Sequence, residues 1–547
     1  MRVLIIGLDG ATWSNLRPLA ERGVMPTLSR LLREGAWGVL HSSIPALTPP
    51  AWASLVTGVN VGKHGIYHFR HTPAGDYYAR RLNDARDIAV PSLWQRLGTL
   101  GKHVGAMNVP LCHPVYAVNG FLTSDSFAPD AKRVQVHPPA LAAEFRDYIV
   151  DVENYPTALP GSPEYAREVL AFMDENERVL ASQADTAARL MKTQPWDFLM
   201  VAWMLTDRLG HYCWKYSDPG LESSLTTDDQ KRLADRCRTI YTMLDTQIAR
   251  LIETAGDNCS VVIASDHGFG PAPLAFFHTN RWLLERGYLR LLPSWHPRRL
   301  FYGNLPRSLR PRVGAPPDAK FGLVDWPRTQ VWADPLESRA VAIRFNQVGR
   351  YPQGIVAAAD IATLRDKIVR DLSDLKTSGG EKVFAELHRG ESLYRGQRAE
   401  GAPDLVGILS RSLDVPASFR RDVRARELLT ANSHVLRDGG HEPEGIFLLH
   451  GANIRPAGQL SPQPIEAIAP TVMQLFGLPI PAEMDAEPIT AALTEDFLRT
   501  HPPRRETSQQ AGTPAASSTP PSGGQPEYSA EDSAVVEERL RKLGYLD

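Results

Sequence analysis

Only four cysteines occur in 547 residues, Cys112, Cys213, Cys237 and Cys259, and no two form a Cys-x-x-Cys pair. That excludes a disulfide-stapled scaffold and a thiolate zinc site, and it suits a reducing compartment. Excess basic charge is absent too: the formal net charge is -2, so no nucleic-acid polymer is expected as a partner. No apolar run approaches the roughly 18 residues that a membrane span needs. The opening "MRVLIIGLDG" starts like a leader, but its apolar stretch is short, Asp9 interrupts it, and no small-residue cleavage site follows. The expectation is a cytoplasmic protein with no membrane contact. No internal repeat is visible. Hydrophobic content of 43% and charged content of 22% are those of a soluble globular protein, and the length allows more than one domain.

Several short β-branched apolar runs read as buried strands: "RVLIIGLDG", "HVGAMNVP", "WDFLMVAWMLTD" and "CSVVIAS". Between them lie helical patterns: "MPTLSRLLREG", with Pro at its start and Gly at its end, residues 163–192, and the stretch from Asp229 to Gly256. Strands alternating with helices predict an α/β fold, a doubly wound and mostly parallel sheet flanked by helices. From about residue 276 the texture changes. Residues 290–320 are rich in Pro and Arg, and short β-like pieces follow, "TQVWAD" and "AVAIRFN". The division this suggests is a discontinuous core of 1–275 and 431–495 with an inserted α+β cap of 276–430. A Pro/Ser/Gly/Thr linker of 496–528, expected to be disordered, and a terminal helix of 529–547 complete the chain. On that helix Val536, Leu540 and Leu543 share a face, and Gly544 suits a helix stop.

Three of the apolar runs end in aspartate: Asp9, Asp207 and Asp266. Ligands of a doubly wound sheet bind outside the carboxyl ends of its strands, so these three side chains are expected to meet. Unbalanced, they would repel and raise one another's pKa; a divalent metal supplies the opposing charge. Asp207 and His211 are four apart in "DRLGH", so one helical turn puts both on one face, and Asp266 is followed directly by His267. Carboxylates mixed with imidazoles suit zinc, with manganese or iron as alternatives, and the set is large enough for two ions. Taken singly, each aspartate would serve equally as a helix cap or turn residue, and His211 as a hydrogen-bonded core or surface histidine.

Five segments in order, "GLDGATW", "PALTPPAWASLVTGVNVGKHGI", "TDRLGHYCW", "SDHGFGP" and "GGHEPEGIFLLHG", resemble the alkaline phosphatase superfamily, and within it the type I phosphodiesterase/nucleotide pyrophosphatase family. The resemblance runs from residue 1 to about 490 and extends to the closing "RLRKLGYL". It implies an alkaline phosphatase-like fold and two divalent metal ions, zinc or alternatively manganese. Asp9, Asp266, His267 and Thr48 match the ligands of one ion, with Thr48 also the nucleophile; Asp207, His211 and His441 match those of the other. His441 is selected by the resemblance alone. The implied reaction is in-line displacement at phosphorus through a covalent phospho-threonine, acting on a small-molecule phosphate ester. Independently of the resemblance, Thr48 lies in "PALTPP", where prolines restrict the backbone, and the helix expected to follow would aim its positive end at an anion. Thr48 would also suit a helix cap.

The match is incomplete. Phe69 stands where several nucleotide pyrophosphatases carry a phosphate-binding Asn, so that contact is expected from elsewhere, such as a backbone N–H after Thr48. Ala467 and Ala486 replace residues usual in relatives, at positions that read as structural. In the cap, His278, Asn280, Arg281, Asn346 and Arg350 are as readily packing or surface residues as specificity determinants. A phosphomonoesterase or phosphoryl transferase of the same superfamily shares the metal-site residues and remains a rival, as does a scaffold that keeps the fold without catalysis.

Overall fold

Val3 to Leu8 are buried without a break in the first strand (β1, Arg2–Leu8), as a strand covered on both faces requires. The coordinates are a computed structural model, and they describe the chain except residues 72–74, 78–79, 131–132, 297–322, 337–338, 378, 412–416, 420–426, 432–436, 507–527, 544 and 546–547. Two compact units result: Met1–Phe69, Asn83–Ala272 and His434–Asp547 form the first, and Arg70–Leu82 with Pro273–Ser433 the second.

The first unit is built on a sheet of β1, β2 (Ala36–His41), β3 (Val104–Met107), β4 (Gly120–Thr123), β5 (Val136–His137), β6 (Phe198–Trp203), β7 (Cys259–Ala264), β8 (Glu444–Gly451), β9 (Gly458–Gln459) and β10 (Gln463–Pro464). Its order is β9-β2-β8-β7-β1-β6-β3-β4-β5, with β10 also on β2. Five neighbours, β7, β1, β6, β3 and β4, run parallel; β8 enters antiparallel between β7 and β2. This is the doubly wound, mostly parallel sheet expected from the alternating pattern, flanked by helices α1 (Trp13–Glu21), α2 (Pro26–Glu34), α3 (Thr48–Thr57), α4 (Tyr165–Thr193), α5 (Leu205–Ser217), α6 (Asp228–Ala255), α7 (Ile468–Leu475) and α8 (Ala530–Leu543). Trp52 and Leu55 of α3 share one apolar cluster with Val472 of α7 and inward residues of the sheet; Ala467 lies in it and Ala486 packs against it. The long helices α4 and α6 pack on each other, and α6 starts at a capping box between Thr227 and Gln230.

Two local departures from the sequence expectation bear on the site. The apolar run "FLMVAWMLTD" does not stay extended to its aspartate: β6 stops at Trp203 and α5 begins at Leu205, placing Asp207 in the first helical turn, where a carboxylate is favoured by the helix dipole. After β7, residues Gly268–Pro271 pair antiparallel with Gly439–Glu442, setting Phe269 opposite His441. That ladder joins segments about 170 residues apart, and no local pattern announces it.

The second unit has an antiparallel sheet of Val331–Pro335, Ala340–Phe345, Leu405–Leu409 and Phe384–Arg389, with the helix Ile361–Ser373. It also takes up residues 70–82, which the sequence division leaves in the core: the Tyr77 ring stacks on Trp326 at 3.9 Å, and its hydroxyl donates to Asn346 at 2.6 Å. The other cap residues singled out above hold this unit together. His278 bonds Thr430, Asn280 bonds the backbone of Ala333, Arg281 pairs with Glu285, and Arg350 pairs with Asp404. Much of the Pro/Arg-rich stretch lies outside the described residues.

The start of the expected linker is ordered. Glu495–Thr500 form a helix with Phe497 buried, and Arg505 donates to the carbonyls of Met484 and Ala486. Residues 507–527, and the Gly544 helix stop, lie outside the described residues. The terminal helix α8 buries Val536, Leu540 and Leu543, the face read from the sequence.

Gly7, inside β1, lets Trp52 lie against the strand: a Cβ there would fall 2.5 Å from the indole ring. Gly7→Ala is expected to lower unfolding stability by about 1–3 kcal/mol through overpacking, measured by urea denaturation; an unchanged midpoint would contradict this packing.

Candidate active site

All seven residues selected from the sequence lie in the first unit, at the carboxyl ends of the adjacent parallel strands β1, β6 and β7. Asp9 follows β1 directly; its N–H bonds the carbonyl of Trp203, and its Oδ2 accepts from Trp52 Nε1 at 2.7 Å. Asp266 follows β7 and accepts from the N–H of Gly10 at 3.2 Å. The turn at Gly10 needs glycine, because its φ is +69° and a Cβ would meet the Phe269 ring at 2.9 Å. Asp207 and His211, one helical turn apart on α5, face the same point. All seven side chains are buried, and Asp207 and Asp266 are 0% exposed.

The distances define two donor sets. In the first, Asp207 Oδ1, His211 Nε2 and His441 Nε2 are separated by 3.2 to 3.4 Å. In the second, Asp9, Asp207 and His267 converge: His267 Nε2 is 3.6 Å from Asp9 Oδ1 and 3.4 Å from Asp266 Oδ2. Asp207 belongs to both sets, whereas the family pattern gives it to one ion only. Thr48, the first residue of α3, brings Oγ1 to 3.4 Å from His267 Nε2. His267 Nδ1 faces the carbonyl of Gly268 at 3.0 Å and must carry the proton there, which leaves the Nε2 lone pair directed into the site. The rings of His267 and His441 stack at 3.7 Å.

The expected backbone donor after Thr48 is not there. Pro49 and Pro50 have no N–H, and the N–H of Ala51 is bonded to Leu47 O. Prolines in the first turn cost the helix little, but they remove the groups that would bind an anion. His64, in the resembling "VGKHGI" segment, stays out of the site. It bonds Ser54 Oγ at 2.9 Å and accepts from Ile66 N, and burial lowers its pKa to about 3.

Three neighbours escaped the sequence reading. Arg208, adjacent to Asp207, is buried, donating to Asp207 Oδ2 at 2.6 Å and to Asp151 Oδ2 at 2.5 Å. Trp52 anchors Asp9. Tyr545, beyond α8, donates its hydroxyl to Asp207 Oδ1 at 2.8 Å. The advance signals were the side-by-side "DR" of residues 207 and 208, since an arginine next to a buried aspartate is a ready counter-charge, and the closing "RLRKLGYL", which holds Tyr545.

Four carboxylates, Asp9, Asp151, Asp207 and Asp266, are thus buried, and the Arg208 guanidinium pairs with two of them, Asp151 and Asp207. Burial, then repulsion from Asp207, raises the Asp9 pKa well above its ordinary value; burial, then Asp9, does the same to Asp266. Burial would also raise Asp207, but His211, His441 and Arg208 hold it well below the ordinary range. Burial, followed by His441, lowers His267 to about 3, and burial likewise lowers His211 and His441, so the imidazoles are neutral, as metal ligands must be. Among the described residues Asp9 Oδ1 and Asp266 Oδ2 accept no hydrogen bond. Orphaned carboxylate oxygens beside neutral imidazole nitrogens are the donor set of a divalent cation, so the residues fit the ions that the resemblance implies.

A family model, type I phosphodiesterase / nucleotide pyrophosphatase, matches residues 3–431. The chain belongs to this family. It is therefore a hydrolase of the phosphodiesterase/pyrophosphatase type, a family that generally uses divalent metal ions. Both His441 and Tyr545 of this family member lie beyond the matched residues. Among solved structures, murine ectonucleotide pyrophosphatase / phosphodiesterase 5 aligns at a TM-score of 0.47 and 12% identity, over 90% of this chain and 100% of that one. Phosphonoacetate hydrolase from Sinorhizobium meliloti 1021, in complex with phosphonoformate, aligns at 0.49 and 15%, over 82% and 90%. A search of curated protein sequences finds no match. No helix among the described residues is long and apolar enough to cross a membrane.

The raised values of Asp9 and Asp266 give a pH dependence. Without a cation, their contribution to stability is full below the ordinary carboxylate range and is lost as pH rises through the raised values. A divalent cation takes the place of those protons. The gain in melting temperature on adding zinc to chelator-treated protein is therefore expected to grow as pH rises above the ordinary carboxylate range; a gain independent of pH would contradict it.

Proposed function

We propose that this hydrolase cleaves phosphodiester or pyrophosphate bonds of a small-molecule phosphate ester in two displacements, with Thr48 as the nucleophile. The observation that carries the reading is the approach of Thr48 Oγ1 to the open nitrogen of His267 inside a cluster of uncompensated buried carboxylates. Asp9, Asp266, His267 and Thr48 would hold one divalent cation and Asp207, His211 and His441 a second, zinc or alternatively manganese. When bound, the cations lower the pKa of the threonine hydroxyl and offset the charge that builds up at phosphorus.

The chain's own part begins with placement. Proline residues after Thr48 fix the start of α3, and burial keeps bulk water from the hydroxyl. Thr48 Oγ1 attacks phosphorus as the bond to the leaving oxygen breaks on the opposite side, the hydroxyl proton passing to the departing oxygen, and a phospho-threonine forms. Water then attacks the phosphorus of that ester, the P–Oγ1 bond breaks, and a proton of the water passes to Oγ1, restoring Thr48. Asp9 and Asp207 are held in place meanwhile by Trp52 and Arg208. Arg208 also pairs with Asp151, so its guanidinium is committed to the scaffold and leaves phosphate oxygens to other groups. The four buried free cysteines support a cytoplasmic location.

Thr48→Ala is expected to cut turnover of a bis-aryl phosphate by at least about a thousandfold, while elemental analysis still finds the cations bound. Hydrolysis retained in that variant would remove Thr48 from the mechanism. A clear preference of the wild-type protein for a mono-aryl phosphate would favour the monoesterase reading.

A further inference from the structure

The last helix delivers a side chain to the site. Helix α8 is fastened along its length: Val536, Leu540 and Leu543 are buried, Arg539 donates to the carbonyls of Ser126 at 2.6 Å and Ala128 at 3.0 Å, and Tyr212 donates to Lys542 O at 2.6 Å. The N–H of Tyr545 returns to Leu540 O at 2.9 Å, closing the helix and turning the tyrosine inward. Its ring stacks on Phe69 at 4.6 Å. Its hydroxyl oxygen lies 2.8 Å from Asp207 Oδ1 and 2.9 Å from His211 Nε2.

Hydrogen bonding alone explains this cluster poorly. A phenol has one proton, given to Asp207, and the Nε2 atoms of His211 and His441 face each other at 3.2 Å, where one proton at most fits. The spacing matches something else. Ligand atoms about 2.0–2.1 Å from a tetrahedral zinc are about 3.3 Å apart. Asp207 Oδ1, His211 Nε2 and His441 Nε2 are 3.2 to 3.4 Å apart, and the Tyr545 oxygen closes against two of them at 2.8 and 2.9 Å.

We propose that the Tyr545 hydroxyl oxygen is the fourth donor of the Asp207–His211–His441 cation site, so that the chain's own C-terminal segment holds the position a substrate oxygen must take. The proposal rests on the two-cation reading above. It makes Tyr545 a competitor of the phosphate ester at one corner of the site and a support for the cation when no ester is there.

The test uses the full-length protein, stripped of metal and titrated with zinc against a competing chelator, with His211→Ala identifying which equivalent belongs to this corner. Tyr545→Phe keeps the ring on Phe69 and removes only the oxygen. Its zinc affinity at that corner is expected to fall about tenfold or more, with the affinity of the other equivalent unchanged. Inorganic phosphate is expected to bind the zinc-loaded variant more tightly than the wild type, because the position is open. Equal zinc and phosphate affinities in wild type and variant would overturn the proposal and leave the two-cation reading standing. A wild-type protein that takes up no zinc at this corner would overturn both.

Discussion

Like charge gathered in a dry place is the constraint that organises this molecule. Asp9, Asp151, Asp207 and Asp266 are all buried, and Arg208 pairs with Asp151 and Asp207. Removing each ion from water costs several kcal/mol even after relaxation, far more than a hydrogen bond from Trp52 or Gly10 returns. An apolar replacement would be the cheaper way to fill the same volume. The carboxylates are compatible with a stable fold when further positive charge arrives, and the neutral imidazoles of His211, His267 and His441 lie beside them as donors that could hold a cation.

The fold follows from that demand. Each acid comes from a different long-range piece: Asp9 from the end of β1, Asp207 from the first turn of α5 after β6, and Asp266 from the end of β7. Because β7, β1 and β6 are neighbours and parallel, their ends coincide, as the crevice rule for such sheets requires. The Gly268–Pro271 ladder with Gly439–Glu442 then brings His441 against His267. Elements of the first unit therefore position all of these side chains.

Local sequence carried much of this. The unbroken apolar runs of β1 and β7 announce buried parallel strands, the Asp207–His211 spacing announces a shared helix face, and Val536, Leu540 and Leu543 announce the buried face of α8. Period and composition are local properties, so they survive in the one-dimensional record. What stayed hidden is long-range. Nothing near residue 441 says that its strand pairs with 268–271. Nothing near residue 77 says that its ring stacks on Trp326, and nothing near residue 545 says that its hydroxyl meets a helix 334 positions earlier. The start of α5 was misplaced for a different reason: an apolar run fits strand and helix alike, and tertiary context decided between them. The missing N–H after Thr48 was legible in Pro49 and Pro50 and shows how one motif can serve a turn while removing an anion contact.

Anomalous diffraction at the zinc edge, from crystals of the protein grown with zinc, tests the central claim most directly. The account predicts two peaks, one among Asp207, His211 and His441 and one among Asp9, Asp266, His267 and Thr48. Diffraction from the same crystals with no peak at either place, and Asp9 and Asp266 buried without a counter-charge, would contradict it.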